Sequence, residues 1–107
     1  MYKIFLTKTF EEKLEKQGKS FKDWFEKILD KLVENPFTGK PLRYEWFREK
    51  KFDKYRVYYL IYKEYVTVYF INISEKKDQQ KVISSISLLL DFYKEEIEKL
   101  LKESSEP

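Results

Sequence analysis

Residues Tyr55 to Phe70, YRVYYLIYKEYVTVYF, form a dense run of aromatic and β-branched side chains interrupted at Lys63 and Glu64. Such a run predicts two strands joined by a tight turn. With a two-residue turn at Lys63 and Glu64, Arg56 lies opposite Ile71, Tyr58 opposite Tyr69, Leu60 opposite Thr67 and Tyr62 opposite Tyr65; a four-residue loop keeps that register. One face then carries Val57, Tyr59 and Ile61 against Phe70, Val68 and Val66, the composition of a core. The other face is an aromatic platform with one guanidinium, Arg56. A charge inside a strand is costly unless its face is open or the charge is paired. Arg56 therefore either sits on an open face or pairs with Glu49 or Asp53.

The flanking patterns supply the remaining elements. Tyr2 to Leu6 is a short apolar run of strand type. Thr9 with Glu12 resembles a capping box that opens a short helix carrying Phe10 and Leu14 and ending near Gly18. A second helix starts at Ser20, with Phe21, Trp24, Phe25, Ile28, Leu29, Leu32 and Val33 on one face, and Asn35-Pro36 stops it. Thr38 to Pro41 reads as loop, and a basic strand is expected from Tyr44 to Phe52. Beyond Ile73 a polar segment leads into a helix reaching about Lys102, whose stripe Ile83, Ile86, Leu90, Tyr93, Ile97 and Leu101 is widened by Val82, Leu89 and Leu100. That stripe is either core or a contact surface for a second copy or a partner. The order strand, helix, helix, three strands, helix is α+β, with an antiparallel sheet, a helical hairpin on one face and a long C-terminal helix. Residues 1–102 are expected to form one domain and 103–107 a frayed tail.

Composition narrows the chemistry. The 107 residues include no Cys and no His, which removes disulfides, thiolate zinc sites and the commonest general acid–base side chain. No metal or small-molecule cofactor is expected. No apolar run approaches the roughly 18 residues of a membrane span, and the N-terminus is too short and mixed for a signal peptide, so a cytoplasmic protein without a membrane partner is expected. The net charge of +3 is unevenly spread. Residues 40–63 hold Lys40, Arg43, Arg48, Lys50, Lys51, Lys54, Arg56 and Lys63 against Glu45, Glu49 and Asp53, while the rest of the chain is slightly acidic. A local positive field on a near-neutral body suits a polyanionic partner, and a lysine-rich solvated surface is the plainer alternative.

Such a cluster can hold phosphates by charge and stack bases on Tyr58, Tyr69 or Phe47. Metal-free phosphodiester cleavage needs a base for the 2′-hydroxyl, cations for the phosphorane and an acid for the leaving oxygen. The string KYRVYY, followed by a second strand and a Lys-Lys segment, resembles the RelE/ParE superfamily of type II toxins. NPFTGKPLR is similar to that superfamily's loop between helical hairpin and sheet, and WFREKKFDKYRVYY with ISEKKDQQKV resembles its HigB-type branch. The likeness covers about residues 2 to 85.

The resemblance implies a RelE-like sheet with two helices on one face and a basic concavity on the other. It further implies a translation-inhibiting, ribosome-dependent mRNA endonuclease held by a cognate antitoxin, its substrate being ribosome-bound mRNA. Carried over, Arg56 stabilises the transition-state phosphate, Arg48 falls near a basic position of the preceding strand, and Lys76 and Lys77 near the basic residues after the last one. Arg43, Lys50, Lys51, Lys54, Tyr58 and Tyr69 then bind RNA. Where many relatives place a Tyr or His after the basic segment, this chain has Gln79 to Ile83. The general acid is therefore open between Tyr58, Tyr69 and Lys77, and the implied alternatives are a ParE-like toxin that poisons DNA gyrase through protein contacts and an inactive module binding nucleic acid or antitoxin.

Overall fold

A computed structural model describes residues 1–105. The elements are β1 (Lys3–Leu6), α1 (Lys8–Glu15), α2 (Lys19–Leu32), β2 (Lys40–Pro41), β3 (Phe47–Phe52), β4 (Tyr55–Tyr62), β5 (Thr67–Glu75), α3 (Gln79–Leu88) and α4 (Leu90–Ser105). The sheet order is β1-β5-β4-β3-β2. β1 is parallel to β5 because α1 and α2 form the crossover, while the remaining neighbours are antiparallel. No helix among the described residues is long and apolar enough to cross a membrane. Of the expected frayed tail, residues 103–105 continue α4, and 106–107 lie outside the described residues.

Both hairpins show how local chemistry sets register. Phe52 faces Tyr55 across a two-residue turn whose first residue, Asp53, has φ 55°, the positive value that tight hairpins need. The β4–β5 loop runs over four residues, Lys63 to Val66, one position later than a four-residue loop centred on Lys63 and Glu64, and Val66, expected on the core face, instead lies exposed in this loop, left-handed at φ 49°. Tyr62 therefore pairs with Thr67 and Leu60 with Tyr69, which corrects the expected pairing of Tyr58 with Tyr69. An extra residue, Ile71, then separates the pairs Tyr59–Phe70 and Tyr58–Asn72 and moves Arg56 opposite Ser74. The two-residue slip leaves the apolar residues up to the bulge on their expected sides, since side chains alternate with period two.

Each sheet face is covered. On the first, Phe10, Phe21, Phe25 and Leu32 of the helical hairpin pack on Val57, Tyr59, Ile61, Val68, Phe70 and Ile73. Helix α1 is capped by Thr7 and not Thr9: its hydroxyl accepts from the Phe10 amide at 3.0 Å and donates to the Ile71 carbonyl at 2.7 Å, tying the helix start to the β5 edge. Helix α2 begins at Lys19 after a Gly18 cap. On the second face Ile83, Ile86 and Ile97 bury Phe47, Tyr58, Leu60, Tyr62, Tyr69 and Ile71. The expected open concavity is thus a second core. Covering it requires the C-terminal helix to break at Leu89, and the break turns Leu88, Leu89 and Phe92 outward. Leu89, expected in the apolar stripe, is consequently exposed.

The expected strand from Tyr44 begins only at Phe47, because the Phe47 amide donates to the Tyr44 carbonyl and closes a turn. Residues expected as loop provide β2, with Lys40 opposite Glu49 and Pro41 opposite Arg48. Gly39 permits this approach: a Cβ there would collide with the Tyr59 hydroxyl and lie 2.8 Å from the Glu49 carbonyl oxygen.

Three outcomes test this packing. Ile86→Ala and Ile97→Ala each cost about 2–5 kcal/mol in urea unfolding, whereas Leu88→Ala changes stability by less than about 0.5 kcal/mol. Gly39→Ala lowers the melting temperature, with the change in chemical shifts centred on Tyr59. Burial pushes the Tyr59 phenol up to about 12 against an ordinary value of 10.0. Its stabilising contribution is full below pH 10 and lost as pH rises through its folded value; stability curves measured from pH 9 to 12 fall accordingly, and a Tyr59→Phe variant shows a shallower fall.

Candidate functional site

Strand β4 carries Arg56 onto the second face, where it is only 8 % exposed. Its neighbour across β3 is Lys51, but the carboxylate that meets it is Glu49, at 3.6 Å from Nε. The Arg56 Nη1 donates to the carbonyls of Asp53 at 3.2 Å and Tyr55 at 3.0 Å. Glu49 is itself buried and accepts from the Gln79 side chain at 2.8 and 3.0 Å on its two oxygens. Gln79 is the first residue of α3, so the helix that covers the face also closes over this pair. Of the two readings of Arg56, the structure has the paired one, with Glu49, and corrects the open-face expectation. A buried guanidinium requires such a partner because an isolated charge cannot be left dry.

Arg48 is on the other side of the sheet. It lies in β3 beside Tyr59, its Nε donates to the Glu45 carbonyl at 2.6 Å, and its Nη1 donates to the carbonyls of Phe37 at 3.1 Å and Gly39 at 2.8 Å. Its guanidinium also sits 5.3 Å from the Phe37 ring centroid. The Tyr59 hydroxyl donates to the Pro36 carbonyl at 2.8 Å in the same corner. Arg48 and Tyr59 therefore staple the loop over residues 36–39 to the sheet. The alternation 48, 50 against 51 already separates Arg48 from Lys51; its separation from Arg56 needed the β3–β4 register.

The remaining expected residues disperse. Lys76 and Lys77 are exposed on a short 3-10 turn after β5, held near the β3–β4 turn by the Lys76 amide donating to the Lys54 carbonyl at 2.7 Å. Glu75 forms ion pairs with Lys54 at 3.2 Å and Lys77 at 3.6 Å, and these hold its carboxyl below the usual range. Arg43 reaches Ser84 of α3 at 3.2 Å. Lys50 is half-buried on the first face, where desolvation and then Lys31 lower its ammonium; Lys51 is exposed.

Tyr58 and Tyr69 are core residues and not a stacking platform. The Tyr58 hydroxyl bonds Ser74 Oγ at 2.8 Å, and the Tyr69 hydroxyl donates to Glu96 at 2.8 Å. Burial is the first cause pushing both phenols up. Glu49 and Gln79 are the site residues that the sequence reading did not assign; Glu49 was visible only as one alternative partner for Arg56. Among the described residues no cluster of three potential ligands converges to hold a metal ion.

A search of curated protein sequences gives no match. Solved structures do share the fold. A chain of the intact E. coli RelBE toxin–antitoxin complex is 20% identical over 70% of this chain and 96% of its own length, with a TM-score of 0.64. The isolated E. coli RelE toxin gives 18% identity, coverage of 80% and 99%, and a TM-score of 0.63. A chain of the RelBE2 toxin–antitoxin complex from Mycobacterium tuberculosis gives 27% identity, coverage of 69% and 90%, and a TM-score of 0.59. The family profile described as ParE toxin of type II toxin–antitoxin system, parDE, matches residues 4–83, from β1 through both hairpins to the middle of α3. The chain belongs to this family of type II toxins, within the RelE/ParE superfamily.

Proposed function

We propose that this toxin arrests growth by binding a protein target, as a ParE-like toxin acting on DNA gyrase does, and that it does not cut RNA. One observation carries the reading: the arginine best matched to phosphate handling, Arg56, is buried and neutralised by Glu49 beneath Gln79. A phosphate approaching it would also meet the Glu49 carboxylate, and Arg48 lies behind the sheet. Proton transfer to or from a ribose oxygen needs a group within hydrogen-bond reach of the substrate, and the Tyr58 and Tyr69 hydroxyls are already occupied in the core. Stoichiometric binding needs neither acid nor base.

The ribosome-dependent mRNA endonuclease is the second reading. It is favoured by the exposed pair Lys76 and Lys77, tethered beside the turn that precedes Arg56. Either toxin is held by a cognate antitoxin, a partner suggested by the toxin–antitoxin complexes among the similar structures. An acidic antitoxin segment suits the basic stretch from Lys40 to Lys63.

Expression of the chain without its antitoxin distinguishes the readings. The expected result is growth arrest with loss of negative DNA supercoiling and intact reporter mRNA; codon-positioned mRNA cleavage with normal supercoiling overturns the proposal in favour of the nuclease. The double variant Lys76→Ala, Lys77→Ala is expected to leave growth arrest within about twofold of the parent, since no phosphate contact is lost. Arg56→Ala is expected to lower stability by about 3–5 kcal/mol in denaturant unfolding by stranding buried Glu49. A fully stable Arg56→Ala protein that has lost toxicity would reassign this arginine to the target.

A further inference from the structure

Strand β5 outlasts its neighbour β1. The two pair from Lys3 opposite Thr67 to Leu6 opposite Phe70, and from there to Glu75 no strand among the described residues lies on that side of β5. Backbone groups along such an edge need partners. Immediately after β1, the Thr7 amide donates to the Phe70 carbonyl at 3.0 Å and the Thr7 hydroxyl to the Ile71 carbonyl at 2.7 Å. Further along, only side chains serve. The Ile73 amide donates to Asn72 Oδ1 at 2.8 Å, and Lys13 Nζ of α1 donates to that same oxygen at 2.7 Å and to the Ile73 carbonyl at 3.0 Å. Ser74 Oγ donates to the Glu75 carbonyl at 3.0 Å.

The cover over Ile73 is an exposed lysine, and its two acceptors are uncharged. Desolvation holds the Lys13 ammonium below its usual value, against an opposing pull from Asp78. A carboxylate brought to Lys13 would therefore be a stronger partner than either acceptor it now has. Beside the same edge lies a cavity of about 220 Å³, between Lys13, Lys16 and Gln17 of α1 and Tyr55, Ile73 and Glu75 of the sheet. It has room for one side chain of a strand laid along Ile73 to Glu75. The surroundings are basic: Lys13 and Lys16 are in no ion pair among the described residues, and Lys54 and Lys77 adjoin through Glu75, whose charge they already share. The acidic residues of α1, Glu11, Glu12 and Glu15, do not line the cavity.

We propose that the β5 edge from Ile73 to Glu75 is a docking site for an extended acidic segment of a partner protein. The segment pairs its backbone with Ile73, places one apolar side chain in the cavity and gives a carboxylate to Lys13, which leaves the Ile73 carbonyl as the strand arrives. In strand addition of this kind the main-chain bonds supply affinity and the side-chain pocket supplies selectivity. Charge decides the occupant. Pairing this edge with that of a second copy would set the Lys13 and Lys16 of both copies against each other, whereas acidic side chains two residues either side of the pocket residue share its face and meet them. The site does not depend on whether the toxin cuts RNA.

The test titrates the full chain with the blocked peptide acetyl-Glu-Glu-Val-Glu-Glu-amide, with its counterpart in which lysines replace the glutamates, and with the acidic peptide N-methylated at its valine, following backbone signals by NMR. The acidic peptide is expected to saturate shifts at Lys13 and Ile73 to Glu75 and to show contacts between its valine and Ile73. The lysine peptide, which lacks the charge, and the N-methyl peptide, which lacks the strand N–H, are each expected to bind about tenfold weaker or less. Lys13→Met is expected to narrow the preference for the acidic over the lysine peptide about threefold, and Lys13→Arg to keep it. No saturation by the acidic peptide, equal binding of either control, an unchanged preference in Lys13→Met, or shifts confined to other strand edges each overturns the assignment. Shifts at Ile73 that follow protein concentration alongside a dimeric mass also overturn it, and give the edge to a second copy.

Discussion

Strand β4 is buried on both faces, and that constraint organises the molecule. From Arg56 to Tyr62 every residue is buried, with the helical hairpin on one side and α3 with α4 on the other. A strand dry on both sides reads as a nearly unbroken apolar run, and YRVYYLIY is one apart from its arginine. Hydroxyl groups make the tyrosines tolerable there only where they find partners. Tyr58 and Tyr59 find Ser74 and the Pro36 carbonyl, as Tyr69 of the neighbouring β5 finds Glu96. Tyr62 is the exception, its buried hydroxyl having no partner among the described residues.

The same constraint dictates how the basic segment is used. A guanidinium inside the sandwich must be neutralised or saturated with hydrogen bonds. Arg56 takes the first solution, with Glu49 one strand away and Gln79 closing the carboxylate from above. Arg48 takes the second, spending its donors on three carbonyls of the segment from Phe37 to Glu45. Positive charge that looks continuous along residues 40–63 is thereby divided between two faces and the strand ends. What remains for a polyanion is the rim, chiefly Lys51, Lys76 and Lys77, and not a lined concavity. A surface of this kind carries positive charge without the lined pocket that would position a bound group.

The family and the site thus make different statements. Membership in the ParE toxin family rests on residues 4–83 and on a shared architecture. Chemistry rests on which side chains that architecture leaves reachable, and a fold by itself hosts more than one activity. Here the C-terminal helices, lying mostly beyond the matched residues, cover the face that carries Arg56.

The sequence by itself determined the α+β order, the antiparallel hairpins, the faces of the apolar residues up to the bulge apart from Val66, which the loop exposes, and the helical hairpin's apolar stripe. These follow from periodicities of two and 3.6 residues, which are local and survive a register slip of two. It also placed Glu49 among the partners open to Arg56. Only the tertiary structure decided that the loop falls at Lys63 to Val66 and that β5 bulges at Ile71, because each depends on how both strands meet their covering helices. It alone decided that α3 and α4 break at Leu89 and bury the second face, since an amphipathic sheet face and an amphipathic helix each announce a need for cover without naming the partner. The fate of Arg48 was equally hidden: its partners are backbone carbonyls, which every residue possesses and no side-chain pattern distinguishes.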